Sequence, residues 1–105
     1  MNRNESKAWI KEKCGDGWLS LIDSVYDHKP DNVMITDTYQ KWGALTFDHK
    51  PWDEEFGNYL DEINEKSMGI CEICGTKGEE RTVKERVYTL CTNHYQSKLK
   101  NNQQI

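Results

Sequence analysis

Cys71 and Cys74 lie either side of Glu72 and Ile73, and Cys91 and His94 either side of Thr92 and Asn93, with sixteen residues between the two pairs. Zinc takes four tetrahedral N/S donors, and two closely spaced pairs folded together supply that geometry. Gly75, just past the first pair, lets the backbone turn beneath the sulfurs. The alternative is two metal-free cysteine pairs. It leaves a stretch whose few apolar residues, such as Ile73, Val83 and Leu90, are too small a set to fold it, because the folding energy of such modules comes from the metal. One zinc ion on Cys71, Cys74, Cys91 and His94 is therefore expected. Four protein donors leave no position for a reactive water, so its role is structural. Cys14 lies outside this pattern. Lys11 and Lys13 would lower its pKa somewhat, but no base follows it in sequence, and it reads as a small hydrophobe.

The elements that position these donors follow from patterning. Between the pairs, Arg81–Val83 and Arg86–Leu90 form a short hairpin, and Thr92–Lys100 a helix carrying His94 in its first turn. Knuckle, hairpin and helix in this order describe a treble-clef-like module over residues 69–105. Upstream, Asn4–Lys13 has helix-forming composition without a clear stripe. Trp18, Leu21, Ile22, Val25 and Tyr26 mark one face of an amphipathic helix that ends before Pro30. The β-branched run Val33–Tyr39 and the run Ala44–Phe47 predict two antiparallel strands around a Trp42-Gly43 turn. Pro51 opens a further helix with Trp52, Phe56, Tyr59, Leu60 and Ile63 on one face. The stretch Ser67–Gly69 reads as a hinge. The expected class is α+β: a helix–β-hairpin–helix domain over residues 1–68, then the zinc module. Asp-His-Lys-Pro occurs at 27–30 and 48–51 with unlike flanks, and reads as two element ends rather than a repeat. The tail from Asn101 is expected to fray.

Composition narrows the function classes. Only 35% of the 105 residues are hydrophobic, so the core is small and a metal tie is useful. Residues 1–70 hold eight basic against fourteen acidic side chains, and residues 71–105 six against four. An acidic chain of net charge −4 is a poor non-specific binder of nucleic acid. No apolar run approaches a membrane span, and MNRNESKAW lacks a signal-peptide core. A cytoplasmic protein is expected, in the host cell if phage-encoded, with reduced cysteines.

Several segments together resemble a family of short proteins from phage, prophage and bacterial genomes. Its members combine a Gly-Trp helix start, a Lys-x-Lys-Phe-Gly-x-Leu-x-Phe-like hairpin, an acidic helix, a Cys-Glu-x-Cys-Gly knuckle and a Thr-Leu-Cys-x-x-His pair. Here these read Gly17-Trp18-Leu19, Tyr39-Gln40-Lys41-Trp42-Gly43-Ala44-Leu45-Thr46-Phe47, Cys71-Glu72-Ile73-Cys74-Gly75 and Thr89-Leu90-Cys91-Thr92-Asn93-His94, in the same order over residues 17–95. The chain departs from the family at Tyr39, where a charged residue is usual, and at Thr46, in place of a basic one. The resemblance implies a phage-type accessory protein.

Three functions compete. The first is a non-catalytic protein that counters host antiviral defence by binding a host defence protein or sequestering a small, cyclic nucleotide-like signal. Tyr39, Lys41, Trp42 and Lys50 would supply stacking and phosphate neutralisation, although Trp42 could equally cap the core. The second is a nucleic-acid-binding zinc module using Lys77, Arg81, Lys84, Arg86, Lys98 and Lys100. Against it, Glu72, Glu79, Glu80 and Glu85 interrupt every basic cluster and suggest a solvated mixed surface. The third, an HNH-type nuclease, needs a histidine base between the ligand pairs, and residues 75–90 hold none. A homo-oligomer is compatible with all three.

Overall fold

The computed structural model describes the backbone of residues 1–103 and the side chains of residues 1–100. The fold is α+β: helices α1 (Arg3–Lys13) and α2 (Leu19–His28), strands β1 (Met34–Lys41) and β2 (Ala44–Lys50), helix α3 (Glu54–Ser67), strands β3 (Glu79–Val83) and β4 (Arg86–Leu90), and helix α4 (Thr92–Gln103). Each strand pair is a separate antiparallel hairpin. The tail expected to fray from Asn101 is helical in backbone to Gln103, and the rest of it lies outside the described residues.

Helix α1, which the apolar pattern left open, is fixed at its start by a capping box: Asn2 Oδ1 accepts from Glu5 N–H at 2.8 Å, and Glu5 accepts from Asn2 N–H at 2.9 Å. Ser6 on α1 is buried against the Tyr26 hydroxyl (2.6 Å) and the Thr38 hydroxyl (2.9 Å). These bonds tie α1 to α2 and β1. Leu21, Ile22 and Val25 of α2 are buried as the stripe predicts. Trp18 is fully buried too, but it precedes the helix. Asp53 caps α3 through Phe56 N–H at 2.8 Å. Trp52 also falls before its helix, 75% exposed, with its ring over Gly57.

One apolar core unites Ile10 of α1, the α2 stripe, Val33 and Ile35, Leu45 and Phe47 of β2, and Phe56, Leu60 and Ile63 of α3. The end of α3 is clamped to β2 by two bonds. Ser67 Oγ accepts from Leu45 N–H at 2.9 Å, and Asn64 Nδ2 donates to the Leu45 carbonyl at 3.1 Å. The second hairpin and α4 bury far less, chiefly Val83, Thr89 and Leu90. The two Asp-His-Lys-Pro stretches end α2 and β2, and both meet α3: His28 stacks on Tyr59 at 4.3 Å, while His49 stacks on Trp52 at 5.1 Å and meets the edge of Phe56 at 5.2 Å.

Candidate metal centre

The knuckle is held from several sides. Cys71 N–H donates to the Thr76 carbonyl at 2.7 Å, Gly75 N–H to the Cys71 carbonyl at 2.8 Å, and Glu72 N–H to the Thr89 carbonyl at 3.0 Å. The last bond brings the knuckle beside the end of β4, and Cys91 follows that strand directly. Tyr95 N–H donates to the Cys91 carbonyl at 2.9 Å, which starts α4 and turns His94 towards the sulfurs.

The result is a cluster. One donor atom from each of Cys71, Cys74, Cys91 and His94 lies within 4.8 Å of all the others. Sulfurs about 2.3 Å and a nitrogen about 2.0 Å from a central ion have tetrahedral edges of about 3.8 Å (S to S) and about 3.5 Å (S to N). The Cys74 and Cys91 sulfurs are 3.8 Å apart, and His94 Nδ1 is 3.6 Å from the Cys71 sulfur and 3.2 Å from that of Cys91. The arrangement fits a metal site. The Thr76 hydroxyl, 3.0 Å from Cys74 Sγ, brings that thiol down to about 7. The backbone N–H of His94 lowers Cys91, while burial raises Cys71. Two of the three thiols are thus inclined to the thiolate form that binds metal.

The knuckle also packs on the turn between α1 and α2. Asp16 N–H donates to the Ile73 carbonyl at 3.2 Å and Gly17 N–H to that of Glu72 at 3.0 Å. A Cβ on Gly17 would stand 1.9 Å from the Cys71 carbonyl oxygen, so no other residue fits there. The Trp18 indole donates to the carbonyls of Ser67 (3.2 Å) and Ile70 (3.0 Å). The stretch read as a hinge is therefore gripped on one side. The sequence carried this signal in Gly15-Asp16-Gly17-Trp18, two glycines just ahead of a helix start.

Glu72 reverses an expectation. It read as one of the acids solvating the basic surface, yet it is 1% exposed. Burial pushes its carboxyl up to about 7 against the opposing pull of Gln40, whose Nε2 donates to it at 2.9 Å. Cys14 reverses another: burial, aided by nearby Glu72, drives its thiol up to about 12, and the cations that oppose this rise are Lys98 and Arg86 rather than the expected Lys11 and Lys13.

The expected binding residues separate. Lys41 and Ala44 pair at the tip of the first hairpin, with Trp42 and Gly43 as its turn, at φ +55° and +80°. Trp42 is 73% exposed and does not cap the core. The tip itself is fixed, because Thr89 Oγ1 donates to the Gly43 carbonyl at 2.6 Å. Tyr39 is half-buried two residues back along β1 and donates to Asp48 at 3.1 Å. Lys50 pairs with Met34 at the far end of the same hairpin, about 20 Å from Trp42 at some 3.4 Å per residue. It cannot share a small ligand with the tip. The length of the two strands decides this. No helix among the described residues is long and apolar enough to cross a membrane. No protein-family model, curated protein or solved structure matches the chain.

Proposed function

We propose that this chain is a non-catalytic, zinc-stabilised accessory protein of phage type that counters a host defence by docking on a host protein through the tip of its first hairpin. Cys71, Cys74, Cys91 and His94 hold one structural zinc in a treble-clef module. Their thiolate and imidazole donors suit zinc, and a fourfold protein shell leaves it no open position. Zinc supplies folding energy there, not reactivity. His28 and His49 are engaged on the α3 aromatics, at the end of the hairpin remote from the knuckle, and have no role at the metal.

The observation that carries the docking reading is Trp42. A bulky residue at positive φ is strained by about 1–3 kcal/mol, and this one holds its indole in solvent. The turn is braced from behind by Thr89, so the indole is presented on a fixed base. Rigid aromatic anchors of this kind dominate protein interfaces. The antiviral setting rests on the resemblance of residues 17–95 to the phage family.

The test pairs two measurements on Trp42→Ala, with zinc content and melting temperature checked first. Expression of the native chain should let a restricted phage form plaques on a defended host, and the variant should not. Against the purified defence component, the variant should bind at least about tenfold more weakly, as expected for loss of one anchoring aromatic. Undiminished binding and plaquing by a folded variant would remove the hairpin tip from the mechanism.

A further inference from the structure

A second surface, which contains none of the four candidate metal ligands, combines features of a ligand site. Helix α1, strand β1 and strand β4 enclose a cleft of about 380 Å³ lined by Trp9, Lys13, Tyr39, Gln40, Arg86 and Tyr88, with Glu12 as its one acid. That size is at the lower end of small-molecule sites, roughly 300–1,000 Å³. From α1, Lys13 Nζ lies 4.7 Å from the Trp9 ring centre. From β4, Tyr88 carries Arg86 at 5.6 Å and Lys98 at 4.6 Å. Lys13, Arg86 and Lys98 form no ion pair among the described residues, although the chain has eighteen acids for fourteen Lys and Arg. These cations rest on aromatic faces instead, in an otherwise acidic protein.

We infer that this cleft binds a nucleoside monophosphate, with the base against Trp9 or Tyr88 and the phosphate between Lys13 and Arg86. Aromatic faces stack any base, and neighbouring cations take its phosphate. Gln40 adds an amide that can meet a base edge or a ribose hydroxyl. Two cations and one carboxylate among the lining side chains, with the modest volume, favour a single phosphate over a polyphosphate. The floor is firm: Gln40 is held by buried Glu72, and the tip of the β1–β2 hairpin packs on Val87 and Tyr88 through Gly43. This site is independent of the Trp42 docking surface.

The experiment is calorimetry on the zinc-loaded full chain with each of the four common ribonucleoside 5′-monophosphates, and with inorganic phosphate and adenosine separately. At least one monophosphate should bind one-to-one with Kd below about 1 mM, and about tenfold tighter than either fragment. Arg86→Gln and Lys13→Gln, both at exposed positions, should each weaken it about tenfold, while Trp42→Ala leaves it unchanged. The absence of saturable binding, or full affinity in the folded double variant, overturns the inference. Loss of binding in folded Trp42→Ala would place the ligand at the hairpin tip. Affinity that rises with oligonucleotide length would make the surface a path for a single strand. Either result also overturns the inference, and neither bears on whether Trp42 docks on a protein.

Discussion

Glu72 sits between two proposed metal ligands with almost no exposed surface and a single side-chain hydrogen bond, from Gln40. An ionised carboxylate in that position is costly, and its carboxyl accordingly stays protonated up to about pH 7. In the unfolded chain the same group ionises near 4.5. The folded state therefore holds the extra proton between these values, and the group's contribution falls as pH rises through that window. Glu72→Gln keeps an oxygen for Gln40 to donate to and removes the charge. The variant should match the native chain below pH 4.5, then gain steadily, and level off above pH 7 at about 3 kcal/mol greater stability. Paired denaturation curves across this range check it, and the difference between the two chains cancels effects common to both. A constant offset at every pH would mean that the carboxylate is solvated after all. Cys14 follows the same logic: burial outweighs the opposing charges of Lys98 and Arg86.

At the scale of elements, Gly17 decides whether the knuckle can sit on the α1–α2 turn. Gly17→Ala puts a methyl group into the Cys71 backbone and should cost about 3 kcal/mol or more, read as a lowered denaturation midpoint. The knuckle itself depends on its donors. Elemental analysis of the native chain should find one zinc per chain, Cys74→Ser or Cys91→Ser should abolish it, and amide exchange on those variants should show β3, β4 and α4 open while α2 stays protected. Substoichiometric zinc in folded, reduced native protein would contradict the assignment of the metal. The elements carrying strong periodic signals were legible from residues alone: the α2 stripe, the α3 face from Phe56 to Ile63, and both hairpins. So was the gathering of Cys71, Cys74, Cys91 and His94 into one cluster, because metal-ligand spacing is local. What was not legible depends on distant partners. Helix α1 is fixed by a capping box and a buried hydroxyl cluster rather than an apolar stripe. Trp18 and Trp52 fit a helical period but lie outside their helices, since one is turned to donate to the carbonyls of Ser67 and Ile70 and the other lies over Gly57. The cleft draws on three elements far apart in sequence, so no motif contains it.

Across the whole molecule, some 48 Å long, two parts of unequal means share one seam. The first has a twelve-residue apolar core; the second has a Cys/His cluster that fits a metal site and little else. The seam is polar: the Trp18 indole to Ile70, Asp16 and Gly17 to the knuckle carbonyls, Gln40 to Glu72, and Thr89 to Gly43. Each such bond is worth about 1 kcal/mol net, and more is lost where a buried group is left unpaired. Stripping the metal with a chelator should unfold the second part and deprive the first of several of these bonds. A loss of a few kcal/mol is a large share of a small domain's stability, about 5–15 kcal/mol, but the apolar core should survive it. The expected outcome is retention of most α1–α3 helicity at 25 °C, with melting lowered by more than about 10 °C. Circular dichroism melts with and without chelator, under reducing conditions, make the comparison. An unchanged melting temperature would show that the seam adds nothing to the first part. Complete loss of helicity on chelation would show that the core depends on the zinc module and that the chain folds only as one unit.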